Sequence, residues 1–173
     1  AFSNMETVHV AAYSHLLDTI GMPEVEYEAF LHIKEMRDKY DYMQQFNASS
    51  KKDIALTLAV FGGFTEGLQL FASFAILLNF PRFNKMKGMG QIVTWSARDE
   101  SLHTESIIKL FHKFLEENPE VDDDSLKRTL YKTCNTMIEH EDAFIDRAFE
   151  LGSVEGLRPE EVKKYIRYIA DIR

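Results

Sequence analysis

Between Leu58 and Phe80 the chain reads LAVFGGFTEGLQLFASFAILLNF, an apolar run in which Glu66 is the single ionisable side chain. A run of this length and character forms either a core helix or a membrane span. A carboxylate inside it is tolerable only if a proton, a cationic side chain or a metal ion meets it. Glu66, Gln69, Ser73 and the Gly62–Gly63 pair are poor residues for a bilayer, so the sequence predicts a buried core helix and no membrane association.

The rest of the chain is that of an ordinary globular protein. Of its 173 residues, 45% are hydrophobic and 28% charged, enough for one domain with a sizeable core. A formal net charge of -8 argues against a nucleic-acid partner, because phosphate contacts need clustered Lys and Arg. Cys134 is the lone cysteine, which excludes an internal disulfide and fits a reducing, cytoplasmic setting. It reads as a small buried hydrophobe or a tolerated surface thiol. The N-terminal residues lack the basic-then-apolar pattern of a secretory signal.

Helical periodicity runs nearly throughout, and no alternating stretch is long enough for a confident strand. A first helix is expected from Ser3 or Asn4 to Ile20, with Gly21 as its stop. An amphipathic stretch follows over 23–46, breaking near Asp38 to Asp41, and AsnAlaSerSer at 47–50 supplies the next turn. A long helix should then run from Ser50 to Asn79 and end at Pro81, with irregularity or close packing at Gly62 and Gly63. Further helices are expected over 91–117, over a segment capped by Asp123, Asp124 or Ser125 that runs to Leu151, and from Pro159 through Arg173. The fold class is all-α, most simply a bundle, with residues 1–173 as a single domain. A start almost directly on a helix and an end without a cap read as a piece of a longer protein, truncated at both ends.

Two segments share one pattern: GluThrValHis at 6–9 and GluSerLeuHis at 100–103. Glu-x-x-His on a helix puts carboxylate and imidazole on one face, with Cβ atoms roughly 5–6 Å apart. Two such helices, with lone glutamates from others, build the dinuclear carboxylate sites of four-helix bundles. Hard oxygen donors with one imidazole per metal suit Fe or Mn. Glu66 then fits as a bridging or terminal carboxylate. A zinc-protease reading fails, because no helix offers two histidines four residues apart within the motif that chemistry needs. Tyr13, four residues after His9, lies one turn further along the ligand face, where a tyrosine is either a core residue or a one-electron donor. Asp99 can accept a hydrogen bond from a ligand histidine.

AFSNMETVHVAAYSHLLDTI, FTEGLQLFASFAILLNF and IVTWSARDESLHTESI, in this order, resemble the small, radical-generating subunit of class I ribonucleotide reductase. The resemblance covers nearly the whole chain. It implies a ferritin-like helical bundle with a dinuclear site in its core, holding two metal ions per chain as Fe2, Mn/Fe or Mn2. It implies Glu6, His9, Glu66, Glu100 and His103 as ligands and Tyr13 as the radical tyrosine. Asp99, accepting from His9, would belong to the electron-transfer route, and Leu70 and Phe74 would line the oxygen pocket. It further implies a homodimer that passes its oxidising equivalent to a large catalytic subunit, which makes deoxyribonucleotides in the cytoplasm. The family's additional Asp or Glu ligand and radical-path tryptophan precede the first Glu-x-x-His, and its docking tail follows the last helix; none of these falls within the sequence.

Two rivals share the bundle. Ferritin-type metal storage has no use for Tyr13 or Asp99 at these offsets. A stand-alone di-metal oxidase needs a substrate cavity by Glu66, where the sequence offers bulky apolar side chains. A non-enzymatic helical interaction module would have to bury Glu66 without a partner. His15, His32, His112 and His140 lack ligand spacing, and GluHisGluAsp at 139–142 reads as a solvated or lightly buried charge run.

Overall fold

Gly21, at φ +78°, ends helix α1 (Phe2–Ile20) with the left-handed turn that glycine adopts without a steric penalty. The structure, a computed structural model, describes residues 2–173, with nothing taken from the side chains of Tyr27 and Leu31. After α1 come α2 (Glu24–Ala29), a 3₁₀ turn (Phe30–His32), α3 (Lys34–Met43) and α4 (Lys51–Leu58). A π-helical segment (Ala59–Gln69) leads into α5 (Phe71–Arg82), followed by α6 (Lys87–Glu117), a 3₁₀ turn (Pro119–Val121), α7 (Asp124–Glu150) and α8 (Pro159–Asp171). No strand occurs among the described residues.

The caps follow from local chemistry. Ser50 Oγ accepts from Asp53 N at 3.1 Å and starts α4; Asp123 Oδ1 accepts from Leu126 N at 2.7 Å and starts α7. Elsewhere the boundaries move. The break expected at Asp38 to Asp41 falls at Phe30–Ile33 instead, where Ile33 is extended. Lys34 pairs with Asp38 across one turn, and Lys39 reaches Glu141 on α7, which keeps α3 continuous through the region expected to break. Pro81 lies inside the last turn of α5, which ends at Arg82 rather than Asn79. Helix α6 begins at Lys87, ahead of the expected Gln91, after Met86 in a left-handed conformation. Helix α8 closes at Asp171, with Ile172 as its cap, where the sequence predicted continuation to Arg173.

The main core gathers Val60 and Leu68 of the π segment, Phe71, Ala72 and Phe74 of α5, Met89 and Val93 of α6, Met137 and Ile145 of α7, and Val162, Ile166 and Ile169 of α8. The apolar run from Lys51 to Arg82 is long and apolar enough to cross a membrane by composition, yet half of its most apolar window is buried within the bundle. Its π segment is the pivot of the fold, packing on α4, α5, α6, α7 and α8. Gly62 makes that packing possible: a Cβ there would stand 2.4 Å from Ile107 Cγ2 on α6. Helix α1 contributes no fully buried residue and lies along α6 through the stripe Met5, His9, Ala12, Tyr13 and Leu16. Thus α1, the π segment and α6 meet, and each carries part of the expected ligand set.

Candidate metal centre

From α1, His9 turns its Nδ1 toward two carboxylates: Glu100 Oε1 at 3.2 Å and Glu6 Oε2 at 3.6 Å. From α6, His103 does the same, with Glu66 Oε2 at 3.2 Å, Glu6 Oε1 at 3.3 Å and Glu100 Oε2 at 3.5 Å. The two rings lie 6.4 Å apart between centroids. Glu6 and Glu100 therefore each present one oxygen to each histidine, whereas Glu66 stands beside His103 alone. Two ligand groups result, Glu6–His9–Glu100 and Glu66–Glu100–His103, in each of which the ligand atoms lie within 4.8 Å of one another. Glu100 belongs to both. Glu66 lies within the π segment, whose turns are wider than those of an α-helix, and faces His103 of α6.

The donor set fits a metal pair. His103 is fully buried, and neither its Nδ1 nor the buried Glu66 Oε2 makes a hydrogen bond among the described residues. Buried polar atoms are rarely left in that state unless another ligand meets them. Burial pushes the Glu100 carboxyl up to about 7, and repulsion from Glu6 and Glu66 adds to the shift. Burial also raises the Glu66 carboxyl, against the lowering influence of His103. Three carboxylates around two imidazoles are electrostatically unfavourable as anions and become favourable around divalent or trivalent cations.

Beyond the ligands, His9 Nε2 lies 3.4 Å from Asp99 Oδ2, so an Nε2–H tautomer donates there and leaves the Nδ1 lone pair facing Glu6 and Glu100. Burial works to raise the Asp99 carboxyl, but the hydrogen bonds from His9 and Arg98 outweigh it and hold it below its ordinary value. Arg98 donates to the other oxygen, Oδ1, at 3.1 and 3.2 Å. His103 Nε2 meets Met5 Sδ at 3.4 Å, and Phe2 packs edge-on against the same ring at 4.5 Å between centroids. Tyr13 OH donates to Ser96 Oγ at 3.1 Å; burial raises its phenol above the usual value.

A cavity of about 560 Å³ adjoins the cluster, with Glu6, Glu100, Tyr13, Ser96, Leu70 and Phe74 among its lining residues. The structure thus brings together all nine residues singled out from the sequence: Glu6, His9, Tyr13, Glu66, Leu70, Phe74, Asp99, Glu100 and His103. Glu66 is not among the lining residues, so the cavity lies at the Glu6–His9–Glu100 side of the cluster and not beside Glu66. Leu70 and Phe74 form one wall and leave open space toward Tyr13 instead of filling it. Ser96, Met5 and Arg98 were not singled out. Ser96 precedes Glu100 by one helical turn, a spacing that marks it as facing the site. The 139–142 run is also corrected: Glu141 is fully buried and paired with Lys39, because residues 141 and 145 share the inward face of α7.

The family profile described as "Ribonucleotide reductase, small chain" matches residues 1–173. The chain belongs to the ribonucleotide reductase small-chain family. It is 44% identical over 207 residues to a probable ribonucleoside-diphosphate reductase small subunit of Invertebrate iridescent virus 6, covering 99% of this chain and 58% of that one. A ribonucleoside-diphosphate reductase subunit beta of Chlamydia pneumoniae is 27% identical over 97% of this chain and 52% of its own length. Among solved structures, a putative class I ribonucleotide reductase from Bacillus halodurans superposes with a TM-score of 0.90 at 23% identity, over 98% of this chain and 63% of that one. That likeness shows the ferritin-like helical fold expected from the sequence. The chain spans a little over half the length of the curated relatives it matches.

Proposed function

We propose that this chain is the metal-holding domain of a ribonucleoside-diphosphate reductase small subunit, and that Glu6, His9, Glu66, Glu100 and His103 ligate two Fe or Mn ions. The observation that carries this reading is the convergence of two imidazole Nδ1 atoms on Glu6 and Glu100, each carboxylate offering one oxygen to either side. Glu6 and Glu100, each with an oxygen near both histidines, would help hold both ions, and Glu66 would hold the one at the His103 end. When bound, such a metal pair reacts with an oxygen-derived oxidant and supplies a one-electron oxidising equivalent.

The chain's own residues prepare and keep that equivalent. Asp99 fixes the His9 tautomer and, with Arg98, extends a hydrogen-bonded path from the site to the surface. Tyr13 is close enough to the ligand carboxylates to share their cavity and serves as the one-electron store. Leu70 and Phe74 give the cavity apolar walls that discourage water. In the assembled enzyme the small subunit is a cytoplasmic homodimer, and the equivalent passes to the large catalytic subunit, where ribonucleotides are reduced.

The test is reconstitution of the full-length protein with Fe(II) or Mn(II) and oxidant, followed by EPR and by assay with and without its large subunit. Reduction that requires both subunits supports the reading. The cavity gives a stand-alone di-metal oxidase a place for substrate; oxidation of an added small molecule without the large subunit, and no ribonucleotide reduction with it, would favour that second reading.

A further inference from the structure

Tyr13 and Ser96 are 83 positions apart, yet the phenol donates to the serine at 3.1 Å. Ser96 is 3% exposed and sits one turn before Glu100 on α6. Its behaviour differs from that of three other hydroxyls on the same helix, while the buried Thr104 hydroxyl makes no hydrogen bond at all among the described residues. Thr94, Ser101 and Ser106 all turn their protons back onto the carbonyl four residues earlier, at 2.7, 2.7 and 2.8 Å. That back-bond is the ordinary satisfaction of a hydroxyl in a helix. Ser96 makes no such bond among the described residues, so its oxygen accepts from Tyr13 while its own proton stays uncommitted.

A hydroxyl both donates and accepts, and it reorients by rotation about one bond. An apolar residue at this position could do neither. Apolar Val10, Leu17, Leu70 and Leu77 share the cavity lining with Ser14, Ser73 and the ligand side chains, yet among the described residues the phenol hydrogen-bonds to Ser96 alone. We propose that Ser96 is a positioning residue for Tyr13, holding the phenol ring in a fixed orientation beside the metal ligands. It accepts a hydrogen bond while the phenol keeps its proton, and donates one to the phenoxyl oxygen once the phenol has given its electron and proton to the oxygen-derived oxidant, which takes up both on its way to water. This rests on the reading of Tyr13 as the one-electron store.

The experiment uses full-length protein in two states, with Ser96→Ala and Ser96→Thr compared with wild type. In metal-free protein, the Tyr13 ring-carbon resonance of ¹³C-tyrosine-labelled samples, assigned by Tyr13→Phe, reads the hydrogen bond directly. Ser96→Ala should shift it, whereas Ser96→Thr should restore the wild-type position. In metal-loaded, oxidant-treated protein, high-field EPR of the tyrosyl signal should show a raised largest g-value in Ser96→Ala, with Ser96→Thr again near wild type. Alanine is a better helix former than serine, so the variant retains α6. Unchanged resonance and unchanged g-value in Ser96→Ala overturn the proposal. If the wild type gives no tyrosyl signal, the reading of Tyr13 as a store fails, while the resonance arm still decides whether Ser96 holds the phenol.

Discussion

Protons and metal ions compete for the same carboxylate oxygens at Glu66 and Glu100. Burial raises both carboxyls, Glu100 from 4.5 to about 7, so below about pH 7 a metal entering the site would displace a proton from Glu100. In metal-free protein the Glu100 contribution to stability is fully present below 4.5 and is lost as pH rises through about 7. Metal-free protein should therefore melt at progressively lower temperature across that window, and saturating Mn(II) should cancel the trend. Calorimetric titration in two buffers of different ionisation enthalpy should detect more protons released per metal at pH 6 than at pH 8. Asp99 acts differently, through the orientation of His9. Asp99→Ala should weaken one of two binding steps by roughly 10–100-fold and leave the other intact, because a carboxylate that accepts a ligand histidine's N–H contributes on that scale. A two-step Mn(II) isotherm checks this; equal weakening of both steps would count against the assigned role.

Adjacent glycines in the π segment make opposite demands on packing. A Cβ at Gly62 meets Ile107 Cβ and Cγ2 at 2.5 and 2.4 Å, whereas a Cβ at Gly63 meets nothing within 4 Å. Gly62→Ala should cost about 1–3 kcal/mol through overpacking against α6. Gly63→Ala should be neutral or stabilising by up to ~1 kcal/mol, since alanine gains helix propensity there without a clash. Urea melts of the two variants separate these outcomes. On α7, burial pushes Glu141 up to about 7 despite its partner Lys39, so desolvation outweighs the pair. Its stabilising share is present below 4.5 and lost as pH rises through about 7, and a shift of that size corresponds to at most roughly 3 kcal/mol. Glu141→Gln should flatten the stability profile over that range, measured against wild type in parallel melts.

At the scale of the whole molecule, the parts legible in sequence were those with local causes. Gly21, Ser50 and Asp123 mark helix ends through their own backbone or side-chain chemistry, and the two Glu-x-x-His patterns needed only helical spacing to imply a shared face. Features created by tertiary contact were hidden. The uninterrupted α3 depends on Lys39 reaching Glu141, and the Tyr13–Ser96 bond joins two helices far apart in the chain. Glycines at 62 and 63 hinted at irregularity, but the extent of the π segment follows from packing against five helices at once. Which carboxylates reach both histidines was likewise open until the geometry showed Glu6 and Glu100 spanning them while Glu66 keeps to one. That arrangement is the central claim, and anomalous diffraction from crystals of the full-length protein grown with Mn(II) tests it most directly. The account predicts two peaks about 3.5–4 Å apart, both contacted by Glu6 and Glu100, with His9 on one, and His103 and Glu66 on the other. A single peak, or peaks away from these five side chains, would contradict it.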